Sequence, residues 1–499
     1  MLYGVNLKNR LYKVALVLTL SANLLNQNVF AASSDIFETD KLVDLITLSS
    51  FIDYTSDTTQ NYATNKDAIA EFKLACQKFA QSNVKTAYRE FNKLIHAYDN
   101  NDFLYFNLAY EFSQMGLFSL AQNCIVQIDD RQIWVNQIEN LKNCYFPCVT
   151  MSLDEEIYLA ELYSDINYNN YSEESLDELS KNQKLLKKLD YANYIMALAY
   201  YKNNNYSKAL TYINKAIGFD NSNLHYLAFK AQILSDDKKY KESLNIVDEL
   251  LDKNITLIKF NDSLNQLKEF NLAKSTRNKY NSMYYLANYH FLKNDSQKAL
   301  RELGYLVSKK KKNYKAYTLM GLIHFKTGNI EKAKENKNLE RSYLINKKYV
   351  PTLVGLGNVF YIIKDYSKAS IFYKSAIKQD KKCYQGYLGL SVIALENKDI
   401  QNASNYIQEA SNIKSQHYIV NYIYSKIDKD REEQYLKSTL ALNPMFVKGW
   451  LNLAKLKFDN NLPELAQDYI YPVKLIAPNN EEYKSFLNTL NENKNVNRL

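Results

Sequence analysis

The stretch MALAYYKNNNYSKALTYINKAI, residues 196–217, holds two apolar runs on either side of Asn203, Asn204 and Asn205. The first run sets a large residue beside a small one, Met196 and Ala197, with Tyr200 following. The second places Ala209, Ile213 and Ala216 at spacings of four and three, which collects them on one face of a helix. A polar turn this short forces the two helices to run antiparallel. Small residues at Ala197 and Ala209 let their backbones approach closely.

The same arrangement recurs along the chain. Taking Ala209 as a marker, Ser175 lies 34 residues before it and Ser243 lies 34 after. Ala87 and Ala121, Ala299 and Ala333, Ala369 and Ala403, and Glu432 and Ala466 are further pairs at that spacing. Eight of these eleven marker positions are Ala, so the period is not composition noise. Four further markers are preceded by a large and small pair, as Ala209 is: Leu108 and Ala109, Leu286 and Ala287, Leu356 and Gly357, Leu453 and Ala454. Two steps are longer, Ala121 to Ser175 and Ser243 to Ala299. Inserts near 129–153 and 255–279 account for them, each long enough for one extra helix or a loop. The first holds Trp134 and a Cys pair, the second Phe260, Leu264, Leu267 and Phe270 at helical spacing.

The pattern resembles the tetratricopeptide repeat (TPR) family, of an exported bacterial type. Residues 196–217 and 356–377 match its signature most closely, and Trp450 stands where the family favours Trp. The resemblance covers roughly 68–480 and implies an all-α fold. That fold is an α-solenoid of about eleven antiparallel helix pairs winding as a right-handed superhelix. Departures mark distorted units: Glu432 replaces the small residue, Lys337 and Glu340 stand at usually apolar places after Ala333, and Pro472 is expected to interrupt the last second helix. Residues 32–66 read as a segment with a capping helix over 36–53, and 481–499 as a polar-faced cap and a fraying tail. Caps are needed because a terminal repeat otherwise exposes its apolar face.

Only 11 Gly and 6 Pro occur in 499 residues, against 43 Tyr. Such scarcity argues against most all-β folds and leaves little for glycine-rich phosphate loops. Gly355-Leu356-Gly357 lies within a repeat helix with no strand before it, so it fails the context of a dinucleotide loop. His290 and His324 share one repeat slot and read as core residues. No catalytic residue, metal site or cofactor is expected, and the chain reads as non-enzymatic. The Tyr excess is divided between AT-rich coding, repeat signature slots and a binding surface.

Residues 1–31 read as a signal peptide. Lys8, Arg10 and Lys13 lead an apolar run from Val14 to Leu25, and Val29 and Ala31 fit a cleavage site after Ala31. The run is too short to span a bilayer, so a periplasmic or secreted chain without a stable membrane span is expected. Loss of that leader lowers the formal charge from +9 to +6. A mild excess and a bare run at Lys309-Lys310-Lys311-Lys312, read as a solvated loop, do not make a nucleic-acid partner. In an oxidising space a disulfide within Cys124, Cys144 and Cys148 is expected.

In the TPR family, first-helix side chains line a concave channel. The matching positions here include Phe103, Phe106 and Tyr110; Tyr191, Tyr194 and Tyr201; Tyr284, Asn288 and Phe291; Phe325; and Asn358 and Tyr361. Rings give large contact area at low entropic cost. The resemblance therefore implies a scaffold that binds protein partners or peptide segments along an aromatic groove, in envelope assembly or secretion. The alternative is a polysaccharide-binding or polysaccharide-export accessory protein. The Lys and Asn clamp by which some family members hold a carboxyl terminus is not matched, since Tyr194, Tyr284 and Val354 stand at its Lys positions.

Overall fold

A computed structural model describes residues 90, 102–168, 177, 179–253, 255, 257–326 and 337–496. The expected signal peptide, the capping helix over 36–53 and the markers Ala87, Ser175 and Ala333 lie outside the described residues. Among those described, every regular element is an α-helix. They fall into two compact units, one ending at Leu257 and one from Ile258 onward, so the division falls at the second insert.

The first unit contains α1 (Asp102–Gln114), α2 (Phe118–Val126), α3 (Arg131–Tyr145), α4 (Leu153–Tyr168), α5 (Gln183–Lys188), α6 (Asp190–Lys202), α7 (Tyr206–Phe219), α8 (Leu224–Asp236) and α9 (Tyr240–Leu251). Its repeat pairs are α1 with α2, α6 with α7, and α8 with α9. The second unit contains α10 (Ile258–Ser275), α11 (Lys279–Leu292), α12 (Ser296–Lys309), α13 (Tyr314–Lys326), α14 (Asn338–Ile345), α15 (Val350–Ile362), α16 (Tyr366–Gln379) and α17 (Tyr384–Glu396). It continues through α18 (Ile400–Ile413), α19 (Tyr418–Ile427), α20 (Glu432–Leu442), α21 (Val447–Asp459), α22 (Pro463–Ile476) and α23 (Glu481–Val496). From α11 onward these helices pair in succession, ending with α21 and α22, and α23 packs on α22.

The marker positions explain the pairing. Ala121, Ala209, Ser243, Ala299, Ala369, Ala403 and Ala466 are all completely buried. So are their helix neighbours Ile213 and Ala216, Leu303 and Leu306, and Tyr373 and Ala376. A hydroxyl can replace the methyl at this contact if it finds a carbonyl. Ser243 donates to the Ala231 oxygen (2.6 Å), and Ser391, on the facing helix of its own pair, donates to the Ala403 oxygen (2.9 Å). Both bonds join the two helices of one pair.

Seven of the first-to-second helix turns also bend the same way, whereas the turn from α19 to α20 does not. Gly116, Asn204, Lys238, Asn294, Lys364, Lys398 and Asn461 all have positive φ, between 58° and 76°. Each stands five residues before its marker. One residue further on, Asn205, Asp295, Asp365 and Asp399 cap the second helix by accepting from the backbone N–H three positions ahead.

Two distortions differ from expectation. Pro472 does not break the last second helix: α22 runs through it from Pro463 to Ile476. Proline removes one N–H and crowds the preceding turn, but Ile470, Val473 and Ile476 bury on one side and hold the helix together. Lys337 takes a left-handed backbone (φ 48°) and α14 begins just after it. That start turns Leu339 and Ser342 into the core. The C-terminal cap reaches beyond Leu490 as helix α23, with Tyr483, Phe486 and Leu490 buried.

Candidate partner-binding surface

Of the ten residues expected to meet a partner, eight are buried: Phe106, Tyr110, Tyr194, Tyr284, Asn288, Phe291, Phe325 and Asn358. Tyr201 and Tyr361 are half-buried. The reason differs between the units.

In the first unit the insert helix α3 lies against the first helices α1 and α8. Its Trp134, 1% exposed, stacks on Phe106 at 4.9 Å and meets Phe103 edge-on at 6.0 Å. Tyr145, at the other end of α3, packs edge-on against Tyr110 at 5.7 Å and lies 4.9 Å from the His225 ring. From His225 the contacts continue to Tyr194 (5.1 Å), then to Tyr191, Tyr226 and Phe229, and Phe229 reaches Tyr201 (5.3 Å). A cavity of about 10 Å³ remains among Tyr145, Tyr191, Tyr194, His225 and their neighbours, space for one water at most. This surface is filled by the protein's own rings. Burial drives the His225 imidazole down to about 4, so at neutral pH it is the uncharged partner of the Tyr194 hydroxyl at 2.9 Å.

The loop after α3 is pinned as well. Pro147 ends the helix, the Cys148 N–H donates to Asp190 Oδ2 (3.0 Å), and Asn223 Nδ2 donates to the Phe146 carbonyl (3.1 Å). The expected disulfide is not formed: Cys124, Cys144 and Cys148 are all free thiols. Cys124 and Cys144 occupy fully buried core positions on α2 and α3, whereas Cys148 lies past Pro147 and is exposed. Burial pushes the first two thiols far up. Partial desolvation and the nearby Asp190 carboxylate push Cys148 up to about 11.

In the second unit the expected residues serve contacts inside it. Asn358 accepts from the Tyr373 hydroxyl on α16 at 2.6 Å. Asn288 on α11 lies beside Glu269 of the second insert helix α10, whose carboxyl burial pushes up to about 8 against the opposing hydrogen bond from Asn288.

What the surface does present is a repeated tyrosine and carboxylate pair. The Tyr201 hydroxyl donates to Asp236 Oδ2 at 2.6 Å, and the Tyr361 hydroxyl donates to Glu396 Oε1 at 3.1 Å. Each pair joins the C-terminal ends of two consecutive first helices, α6 to α8 and α15 to α17, with partners 35 residues apart. Desolvation raises both phenols, and the bonded carboxylates raise them further. The acidic members were not among the expected site residues. A Tyr eight before one marker and an acid seven before the next would have revealed them.

Among the described residues no group of three or more His, Cys, Asp or Glu side chains stands together as metal ligands. No described helix is long and apolar enough to cross a membrane.

Stacked helix pairs with small residues at the facing positions make this a TPR-like repeat protein. A family model described as "Anaphase-promoting complex, cyclosome, subunit 3" matches residues 155–250, and a "Tetratricopeptide repeat" model matches 314–336. None of the curated proteins matches. Among solved structures, a chain of the APC/C hetero-tetramer Cut9-Hcn1 is 13% identical, with 96% of this chain and 88% of that one covered and a TM-score of 0.40. PilF of Pseudomonas aeruginosa is 15% identical over 52% of this chain and 99% of its own, with a TM-score of 0.27. YrrB, described as a TPR protein with an unusual peptide-binding site, is 12% identical over 37% and 97%, with a TM-score of 0.27.

Proposed function

We propose that this chain is an exported, non-enzymatic scaffold that holds protein partners along the exposed ends of its first helices, in envelope assembly or secretion. The observation that carries the reading is the recurrence of the Tyr201–Asp236 and Tyr361–Glu396 pairs at one repeat position in both units. Each offers a half-exposed ring and a carboxylate fixed by its hydroxyl, an amphipathic contact of the kind that binding hot spots favour. The saccharide alternative fits less well, because the ring faces on which sugars would stack are largely covered by other rings. Export rests on the leader-like residues 1–31, and amino-terminal sequencing of the mature protein beginning at Ala32 would support it.

Substituting Tyr201 and Tyr361 together by Ala tests the contact. Partner capture is expected to fall at least tenfold while the far-ultraviolet helical signal persists. Undiminished capture by the double variant would refute it. Tyr194 and Tyr284 are unsuited to this test, since truncating a buried ring costs about 3–5 kcal/mol of stability.

A further inference from the structure

In the second unit, two turns line an open cleft of about 870 Å³. One turn runs from Lys309 through Lys312 between α12 and α13, and the other comprises Asn278 to Asn281 at the start of α11. Lys279, Lys309, Lys310, Lys311, Lys312 and Lys315 line the cleft, all six exposed, and no carboxylate lines it.

The lysine run is held in shape. Lys310 N–H donates to the Leu306 carbonyl (2.8 Å), Asn313 N–H to the Lys310 carbonyl (2.9 Å) and Tyr314 N–H to the Lys312 carbonyl (3.0 Å). Asn278 and Asn313 cap the two neighbouring helices by accepting from Tyr280 N–H and Ala316 N–H. The turn after α16 makes the same three bonds, so the shape belongs to the repeat and only the charge is particular to this turn.

The placement of the charges is also unfavourable for the fold alone. A cation at the C-terminus of α12 complements the helix dipole, which accounts for Lys309 and Lys310. Lys279 and Lys315 instead stand in the first turns of α11 and α13, where the dipole disfavours positive charge and favours an anion. Six like charges around one cleft repel one another, and a bound anion would relieve all of these terms together.

The cleft is open and has room for more than a single ion. It provides neither guanidinium forks nor open stacking faces for a nucleic acid. No Arg lines it, Lys310 Nζ lies 4.6 Å over the Tyr280 ring, and the Tyr314 ring meets Tyr349 edge-on at 4.9 Å. Ammonium groups on flexible stems suit carboxylates spaced along a chain. We propose that this cleft binds an acidic segment, a run of Asp and Glu side chains, of a protein partner. The site is separate from the tyrosine and carboxylate pairs and does not depend on them.

Fluorescence anisotropy of the full chain with a labelled octaglutamate peptide tests the assignment, with octaglutamine as the uncharged comparison. Octaglutamate is expected to bind and to weaken with added salt, and octaglutamine is expected not to bind. Replacing Lys310, Lys311 and Lys312 together by Gln should weaken octaglutamate at least tenfold, and replacing them by Arg should preserve binding. Lys378→Gln at the exposed end of α16, with Lys381→Gln and Lys382→Gln on the exposed turn after it, remove the same charge elsewhere and should leave affinity within twofold. An equal loss in that control set would overturn the proposal, as would absent octaglutamate binding. Tighter binding to oligothymidylate or to phosphatidylserine vesicles than to octaglutamate would overturn it too.

Discussion

At the scale of single residues, the fold rests on a left-handed position and a small-residue contact repeated with the period. Lys238, Lys364 and Lys398 hold positive φ where Gly116 does so without a side-chain clash. Replacing Lys238 or Lys364 by Gly is expected to stabilise the protein by about 0.5–1 kcal/mol, read as a higher chemical-denaturation midpoint. Gly357 and Gly389 show the other constraint. A Cβ on either would lie 2.5 Å from the ring of Tyr373, which is completely buried between them. Gly357→Ala should therefore destabilise by roughly 1–3 kcal/mol, and calorimetry showing no loss would disprove the packing. The period and the small slots were legible in the sequence because they are written in residue type. The left-handed site was not, because Asn, Lys and Gly share it and only geometry unites them.

At the scale of elements, the inserts decide which surfaces are available. The sequence showed that about twenty residues were added after Ala121 but could not show where they pack. Helix α3 lays Trp134 and Tyr145 against the rings of Phe106 and Tyr110, so residues that match a groove by repeat position become core. Aromatic side chains look the same in a list whether they face solvent or a neighbouring helix. Trp134→Ala should cost about 3–5 kcal/mol in the first unit, and hydrogen exchange should then show α1 and α3 losing protection together. Exchange of α3 alone, with α1 unchanged, would contradict this packing. The second insert, which the sequence left open between a helix and a loop, forms one helix, α10, with Phe260, Leu264 and Leu267 buried.

At the scale of the whole molecule, the two units differ in how they respond to pH. Glu269 in the second unit has its carboxyl raised to about 8 by burial, so the folded chain keeps a proton that the unfolded chain releases above its ordinary value near 4.5. Its contribution is complete below that value and declines as pH rises towards 8. Glu269→Gln should remove this decline, gaining on the parent by at most about 4 kcal/mol between pH 5 and pH 8. His225 in the first unit has the opposite sense. Lowered to about 4 by burial, it contributes stability above pH 6.5 that is lost as pH falls towards 4. His225→Gln should flatten that acid limb of the unfolding curve.

The central claim is that partners meet the ends of the first helices where tyrosine and carboxylate pair, while the remaining aromatic positions stay inside. Site-specific photocrosslinking in the native cell tests it most directly. A photoreactive phenylalanine at Tyr201, at Tyr361 and, as a control, at Lys381 on an exposed turn is the required set. The predicted result is the same protein adduct from 201 and 361 and none from 381. No adduct from 201 and 361, or equal yields at all three positions, would contradict the account.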